Sequence, residues 1–253
     1  VIPYIRIYDA SVINYLKYEV LPPYFTEWVE DEPLVYNADL QGFVTESDML
    51  PLPTSPGRGW VFFDEETING VSIVSTSAEQ ATQVIVAGPS TYTVDYVRGR
   101  ILTPDATPTT VSYAWNYVSL VEGWPGEDIP PLPVVAVDMV AVSKKGFQLG
   151  GGTKDTLEGS VHIFATSEME KKDLTDVIYQ AFYNRSVPIR NWHEGSYLSY
   201  DGSYSGFQPT TVSGLSSAVF TNVEARLDGP RIDWSEVNRH RSRINFVLEI
   251  YKS

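Results

Sequence analysis

The sequence predicts an α+β fold rich in β-strand: a small all-β module, then an antiparallel sheet with one long helix packed on one face. Three observations predict it. In 253 residues there are 18 Gly, 17 Pro and 16 Tyr, a punctuated and aromatic composition that suits many short strands. Only Thr166 to Arg185 carries sustained helical periodicity. Strand-like runs lie on both sides of it, and a lone helix with one apolar face needs a sheet to bury that face.

The length allows a sizeable core in one large or two modest domains. Lys and Arg number 18 against 32 Asp and Glu, a formal net charge of −14. Such a chain is not expected to coat nucleic acid, which needs a basic face, nor to bind an anionic membrane. A local basic patch, or a channel past which DNA slides without adhering, is compatible with it. Cysteine is absent. Disulfides, thiolate metal sites and cysteine nucleophiles are thereby excluded, and cytosolic assembly is the plain expectation. No run approaches the roughly 20 apolar residues that cross a bilayer. No secretory signal pattern is expected either.

Val1 to Tyr8 (VIPYIRIY) reads as a β-prone run. Asp9 or Ser11 then caps a short helix over Ala10 to Leu21. Val12, Leu16 and Val20 share one of its faces, and Pro22-Pro23 ends it. From Tyr24 the chain mixes aromatic and acidic residues, with Trp28, Glu30, Asp31 and Glu32 before Pro33. The plain reading is a solvated loop or docked arm. The functional reading is a strip that docks on a partner. Residues 1–50 are expected to form an N-terminal arm.

Residues 51–122 are expected to form a small β-sandwich or barrel. Pro51 to Gly59 opens it as a loop. Trp60 to Phe63 is a strand, and Asn69-Gly70 signals a hairpin. Gln83 to Ala87 is a strand, Gly88-Pro89 a turn, and Arg98-Gly99 a second hairpin signal. Val111 to Val118 alternates in the manner of a half-buried strand.

Residues 123–133 (GWPGEDIPPLP) form a stiff proline-rich linker. Residues 134–253 follow as an assembly domain in the order β-β-α-β-β-β. Its strands are Val134 to Val142, Leu157 to Ala165, Val187 to Trp192, Ala218 to Leu227 and Arg243 to Tyr251. The first two flank a Gly-rich tip, Lys144 to Thr153, which contains Phe147 and Leu149. In the helix, Leu174, Val177, Ile178, Ala181 and Phe182 gather into one stripe, and Ser167 with Glu170 forms a capping box.

No catalytic motif stands out, so no enzyme and no cofactor are expected. Gly150-Gly151-Gly152-Thr153-Lys154 lacks the GxxxxGK[ST] spacing of a phosphate loop and precedes a strand. It reads as a hairpin tip. His162, His193 and His240 share no metal-ligand spacing. The carboxylates pair everywhere and single out no acid–base couple. No serine lies in GxSxG. Asn191 to Phe207 has the Tyr, Ser and Gly content of an adaptable binding loop, with Trp192, Tyr197, Tyr200 and Tyr204. It suits either stacking on a sugar or a subunit contact. Arg239, Arg241 and Arg243, with His240, Arg226 and Arg231, make up the one basic cluster. Three readings stay open for it: ion pairs with the protein's own carboxylates, a seat for a neighbour's acidic arm such as Glu27 to Glu32, or the lining of a DNA passage.

Two features together resemble a known group. Ser90 to Thr103 (STYTVDYVRGRILT), followed by Val111 to Leu120 (VSYAWNYVSL), resembles β-modules of tailed-bacteriophage virion proteins. The C-terminal β-β-α-β-β-β half resembles phage neck, head–tail connector and tail-terminator proteins. The resemblance covers about half the chain and transfers no functional residue. It implies a structural homo-oligomer, a ring in the virion that contacts neighbouring neck or tail proteins. DNA would pass through an acidic lumen without specific binding, and no membrane would be involved. The alternative is a carbohydrate-binding or adhesin module of a tail-associated protein. A hydrolase with dispersed carboxylates is the third reading.

Overall fold

The computed structural model describes residues 4–39, 41–45, 61–62, 64–68, 71–74, 82–87, 90–95, 100–102, 110–124, 132–146, 153–183, 185–190, 197–198, 202, 204–205, 211–212, 217–229 and 240–252. Helix α1 spans Tyr4–Tyr15 and continues as a π-helical turn, Leu16–Val20. Leu21 N–H donates to the Leu16 carbonyl at 3.0 Å to close that turn. Pro22 has no N–H to extend the ladder, so the helix ends where the sequence places its end. Its start differs. Of the stretch read as β-prone, Tyr4 to Tyr8 is helical, because Ile7 and Tyr8 bury in the same core as Val12, Ile13 and Leu16. Burial here overrides the weak strand preference of the β-branched residues.

Nine strands follow: β1 (Thr26–Asn37), β2 (Gly42–Thr45), β3 (Val61–Phe62), β4 (Asp64–Ile68), β5 (Val71–Val74), β6 (Thr82–Ala87), β7 (Ser90–Asp95), β8 (Arg100–Leu102) and β9 (Thr110–Asn116). They form one sheet in the order β5-β4-β9-β1-β2-β8-β7-β6, with β3 also on β9. The turn chemistry fixes its hairpins. Ile68 pairs with Val71 across Asn69-Gly70, Ala87 with Ser90 across Gly88-Pro89, and Asp95 with Arg100 around Arg98-Gly99. One expectation is corrected. Thr26–Asn37 is neither loop nor arm but an interior strand, paired with β9 over Thr26 to Pro33 and with β2 over Leu34 to Asn37. A register shift between Val29 and Glu32 absorbs the acidic run.

The second sheet contains β10 (Ser119–Glu122), β11 (Val134–Gly146), β12 (Thr153–Phe164), β13 (Ser186–Pro188), β16 (Ser217–Leu227) and β17 (Arg241–Lys252). Helix α2 (Glu168–Phe182) lies between β12 and β13, and a small antiparallel pair, β14 (Tyr197–Leu198) and β15 (Tyr204–Ser205), lies between β13 and β16. The order across the sheet is β10-β11-β12-β17-β16-β13. Every pairing is antiparallel except β10 with β11, which is parallel. The sheet is therefore mixed rather than purely antiparallel, because the proline-rich run returns the chain beside β10 in the same direction. Ser119 N–H donates to the Pro133 carbonyl at 2.9 Å at that joint.

Helix α2 begins as its sequence specifies. Ser167 Oγ accepts from Glu170 N–H at 3.2 Å. The Glu170 carboxylate turns back one residue further than a capping box requires, to Thr166 N and Oγ1, both at 2.7 Å. Leu174, Ile178 and Phe182 are fully buried, each contributing about 1.5–3 kcal/mol of burial. Lys171, charged but in register with this stripe, is 1% exposed. Its ammonium donates to the Asp228 carbonyl and pairs with Glu168, each at 2.8 Å.

Both helices cover one face of the six-stranded sheet. Their apolar residues share a core with Val135, Val137, Leu157, Val161, Ile163, Ile244, Phe246 and Leu248. The sheet curls about α1, which touches β10 and β11 at one edge and β13 at the other. Arg190 N–H donates to Ser11 Oγ at 3.0 Å, and Asn14 Nδ2 donates to the Gly202 carbonyl at 2.8 Å. Gly202 has φ +75°, and a Cβ there would stand 2.6 Å from Asn14 N. Glycine is required at that contact.

Candidate interaction surfaces

The face of the sheet turned away from the helices carries the polar chemistry. Cross-strand register builds it row by row. Phe164 stands opposite Arg241. His162 stands opposite Arg243, which stands opposite Arg226. Ser160 stands opposite Asn245, which stands opposite Glu224. Trp124, just after β10, closes one end and is 53% exposed.

Arg241 is the centre of this patch. Its guanidinium carbon lies 4.6 Å from the Trp124 ring centroid and 5.7 Å from that of Phe164. Trp124 also meets His162 edge-on, with centroids 5.0 Å apart. Arg241 Nη2 lies 3.2 Å from His162 Nδ1. An arginine only donates, so Nδ1 accepts and the ring proton sits on Nε2, facing Ser160 Oγ at 3.1 Å. Burial, then the positive fields of Arg241 and Arg243, lower the His162 pKa to about 4. The imidazole is thus a neutral acceptor at pH 7.

The second surface is a pair of strand edges. β10 covers β11 only over Val134 to Val137. Among the described residues no strand pairs with the outer edge of β11 beyond that point. Val140 there is 68% exposed and Val142 46%. Across the sheet, β13 covers β16 only over Ser217 to Val219. The rest of that edge runs to Leu227, which is 52% exposed.

No protein-family model matches the chain, and no curated protein matches it.

Of the residues expected to meet a neighbour, Arg241 and Arg243 lie together on the face turned away from the helices. Tyr197 and Tyr204 lie in β14 and β15, where Leu198 pairs with Tyr204. The backbones of Trp28, Glu30, Asp31 and Glu32 run within β1, held in a sheet rather than extended as an arm; their side chains lie outside the described residues. Phe147, Leu149, Trp192, Tyr200 and Arg239 also lie outside them. Sequence reasoning missed Trp124, assigned to a linker, and the roles of His162 and Phe164. Their alternation with the buried Val161 and Ile163 was the available signal, since it sends them to the opposite face.

A third cluster joins α1 to β10 and β11. Burial first, then the charge of and hydrogen bond with Glu122, then Asp138, raise the Asp9 pKa to about 8. The Asp9 carboxyl therefore keeps its proton at pH 7. Among the described residues, no group of three His, Asp or Glu is placed to hold a metal ion. No described helix is long and apolar enough to cross a membrane.

Proposed function

We propose that this chain is a non-enzymatic structural subunit of a tailed-phage virion, forming a homo-oligomeric ring at the head–tail neck or the tail terminus. The observation that carries this reading is the pair of edges on the six-stranded sheet that no strand covers among the described residues. An unpaired edge is a template for another strand, and natural monomers usually blunt it. Here each open stretch exposes large apolar residues, Val140 and Val142 on β11 and Leu227 on β16.

The edges suit a head-to-tail joint. β11, β12, β17 and β16 alternate in direction, so β16 of one copy runs antiparallel to β11 of a copy related by rotation about the strand direction. Different patches then meet at each joint, and such heterologous contacts close into a ring when the rotation permits. The open stretches lie at opposite ends of the sheet, so the joint is staggered, as in closed sheets with tilted strands. The resemblance of the Ser90–Thr103 and Val111–Leu120 segments to phage virion modules supports the virion setting. The net charge of −14 suits a lumen that DNA passes without adhering.

The test is solution mass by light scattering with electron microscopy, for the wild type and for Val140→Lys with Val142→Lys. A discrete oligomer that images as a ring, and reverts to monomer in the edge variant, is the expected result. A monomer at every concentration, or an oligomer indifferent to the edge substitutions, counts against the ring.

A further inference from the structure

The face of the six-stranded sheet turned away from the helices gathers three arginines in a chain of net charge −14. Arg241 and Arg243 are two positions apart on one strand, about 7 Å at the usual strand rise. Arg243 and Arg226 are direct cross-strand partners, and like charges placed so are destabilising. Among the described residues an ion pair answers only one of the three, and the Asp228 carboxylate acts on Arg241 through its charge without pairing with it. Arg226 pairs with Glu224 at 3.2 Å. Neither Arg241 nor Arg243 is in an ion pair with any described residue. Arg241 Nε is buried without a hydrogen-bond acceptor.

Arg241 is nevertheless held in place. Trp124 and Phe164 flank its guanidinium, and His162 accepts one of its protons at 3.2 Å. A guanidinium restrained by neutral groups keeps its charge available and has already lost much of its side-chain freedom. Exposed tryptophan beside oriented arginine is also the composition found at the energetic centres of protein interfaces.

We propose that Arg241 and Arg243, backed by Trp124, form a carboxylate-receiving site for an acidic segment of a separate partner protein. Charge complementarity selects the occupant. Two neighbouring arginines match the paired oxygens of aspartate and glutamate side chains. A DNA backbone is disfavoured, because the rest of the chain repels it. A second copy is disfavoured as well. Copies joined through the β11 and β16 edges extend the sheet sideways and do not stack on this face. That last step rests on the ring reading; the unanswered charges do not.

The experiment uses the full chain with 15N-labelled arginine at low salt, and hexaglutamate as the probe against hexaglutamine. The Nε–H resonances of Arg241 and Arg243 are expected to move saturably with hexaglutamate and to stay put with hexaglutamine. Arg243→Ala should weaken binding by about tenfold or more, since hydrogen bonds to charged groups contribute about 1.5–3 kcal/mol. Its melting temperature should hold or rise, because the substitution relieves the repulsion with Arg226 and Arg243 has no ion-pair partner among the described residues. Resonances unmoved by hexaglutamate, or an unchanged affinity in Arg243→Ala, overturn the site. A short DNA duplex that moves them at lower concentration than the peptide reassigns it to phosphate and overturns the proposal. Loss of oligomer mass in Arg243→Ala makes a second copy the occupant, which also overturns it. Failure of the ring alone, with peptide binding intact, leaves the site standing.

Discussion

Phe182, the last residue of α2, stacks on Phe220 of β16 with ring centroids 4.0 Å apart and planes 13° apart. Phe246 of β17 meets both rings edge-on, at 5.1 and 5.3 Å. This three-ring cluster fastens the end of the helix to β16 and β17, the last two strands of the chain. Phe182→Ala should cost about 3–5 kcal/mol, in the range of aromatic truncations in cores. Denaturant unfolding followed by far-UV circular dichroism measures it. A loss below about 1 kcal/mol would mean that the helix end is not held by the rings.

Lys171 distinguishes packing from charge. Its stem is buried while its ammonium meets the Asp228 carbonyl and Glu168. Lys171→Met keeps the stem and should cost about 1 kcal/mol, the net worth of an ordinary hydrogen bond. Lys171→Ala removes both and should cost about 2–4 kcal/mol. Equal losses in the two variants would show that packing of the stem contributes nothing.

Asp9 predicts a pH-dependent gain. Its folded pKa, about 8, stands above the ordinary aspartate value. Between those two values the folded state holds a proton that the unfolded state has released, so stability falls as pH rises. Asp9→Asn removes that slope. It should stabilise the protein by on the order of 2–3 kcal/mol at pH 8 and by much less near pH 4. Thermal melts at both pH values decide the matter. A variant that gains nothing at pH 8 refutes the raised Asp9 pKa.

His162 has the opposite sign. Its folded pKa, about 4, lies below the ordinary histidine value of 6.5. In that window the unfolded chain binds the proton and the folded chain does not, so stability falls as pH drops from 6.5 to 4. The effect is on the order of 1–2 kcal/mol after screening at the edge of the patch. His162→Gln retains an acceptor for Arg241 without titrating. The difference in melting temperature between wild type and variant should shrink from pH 7 to pH 4. A difference independent of pH would refute the neutral histidine.

Local pattern determined a good deal. The stripe from Leu174 to Phe182, the cap at Ser167 and the strands on either side were legible because a helix or strand announces its period in adjacent residues. So were the hairpins at Asn69-Gly70 and Gly88-Pro89, where a few residues set the turn. The length of β1 and the start of α1 were not. Trp28 to Glu32 looks like loop because its acidic run breaks the alternation, and only pairing with β9 makes it strand. Ile7 and Tyr8 look like strand because only the curl of the sheet shows what buries them. The arginines of the patch were grouped by the sequence, but what surrounds them depended on tertiary structure. His162 reads as one histidine in a strand until register brings Arg241, 79 residues away, to 3.2 Å from its ring. Trp124 reads as linker until β10 pairs in parallel with β11 and sets it beside that arginine. Periodicity is a property of neighbours in the chain, whereas charge, burial and tautomer at a site are set by neighbours in space.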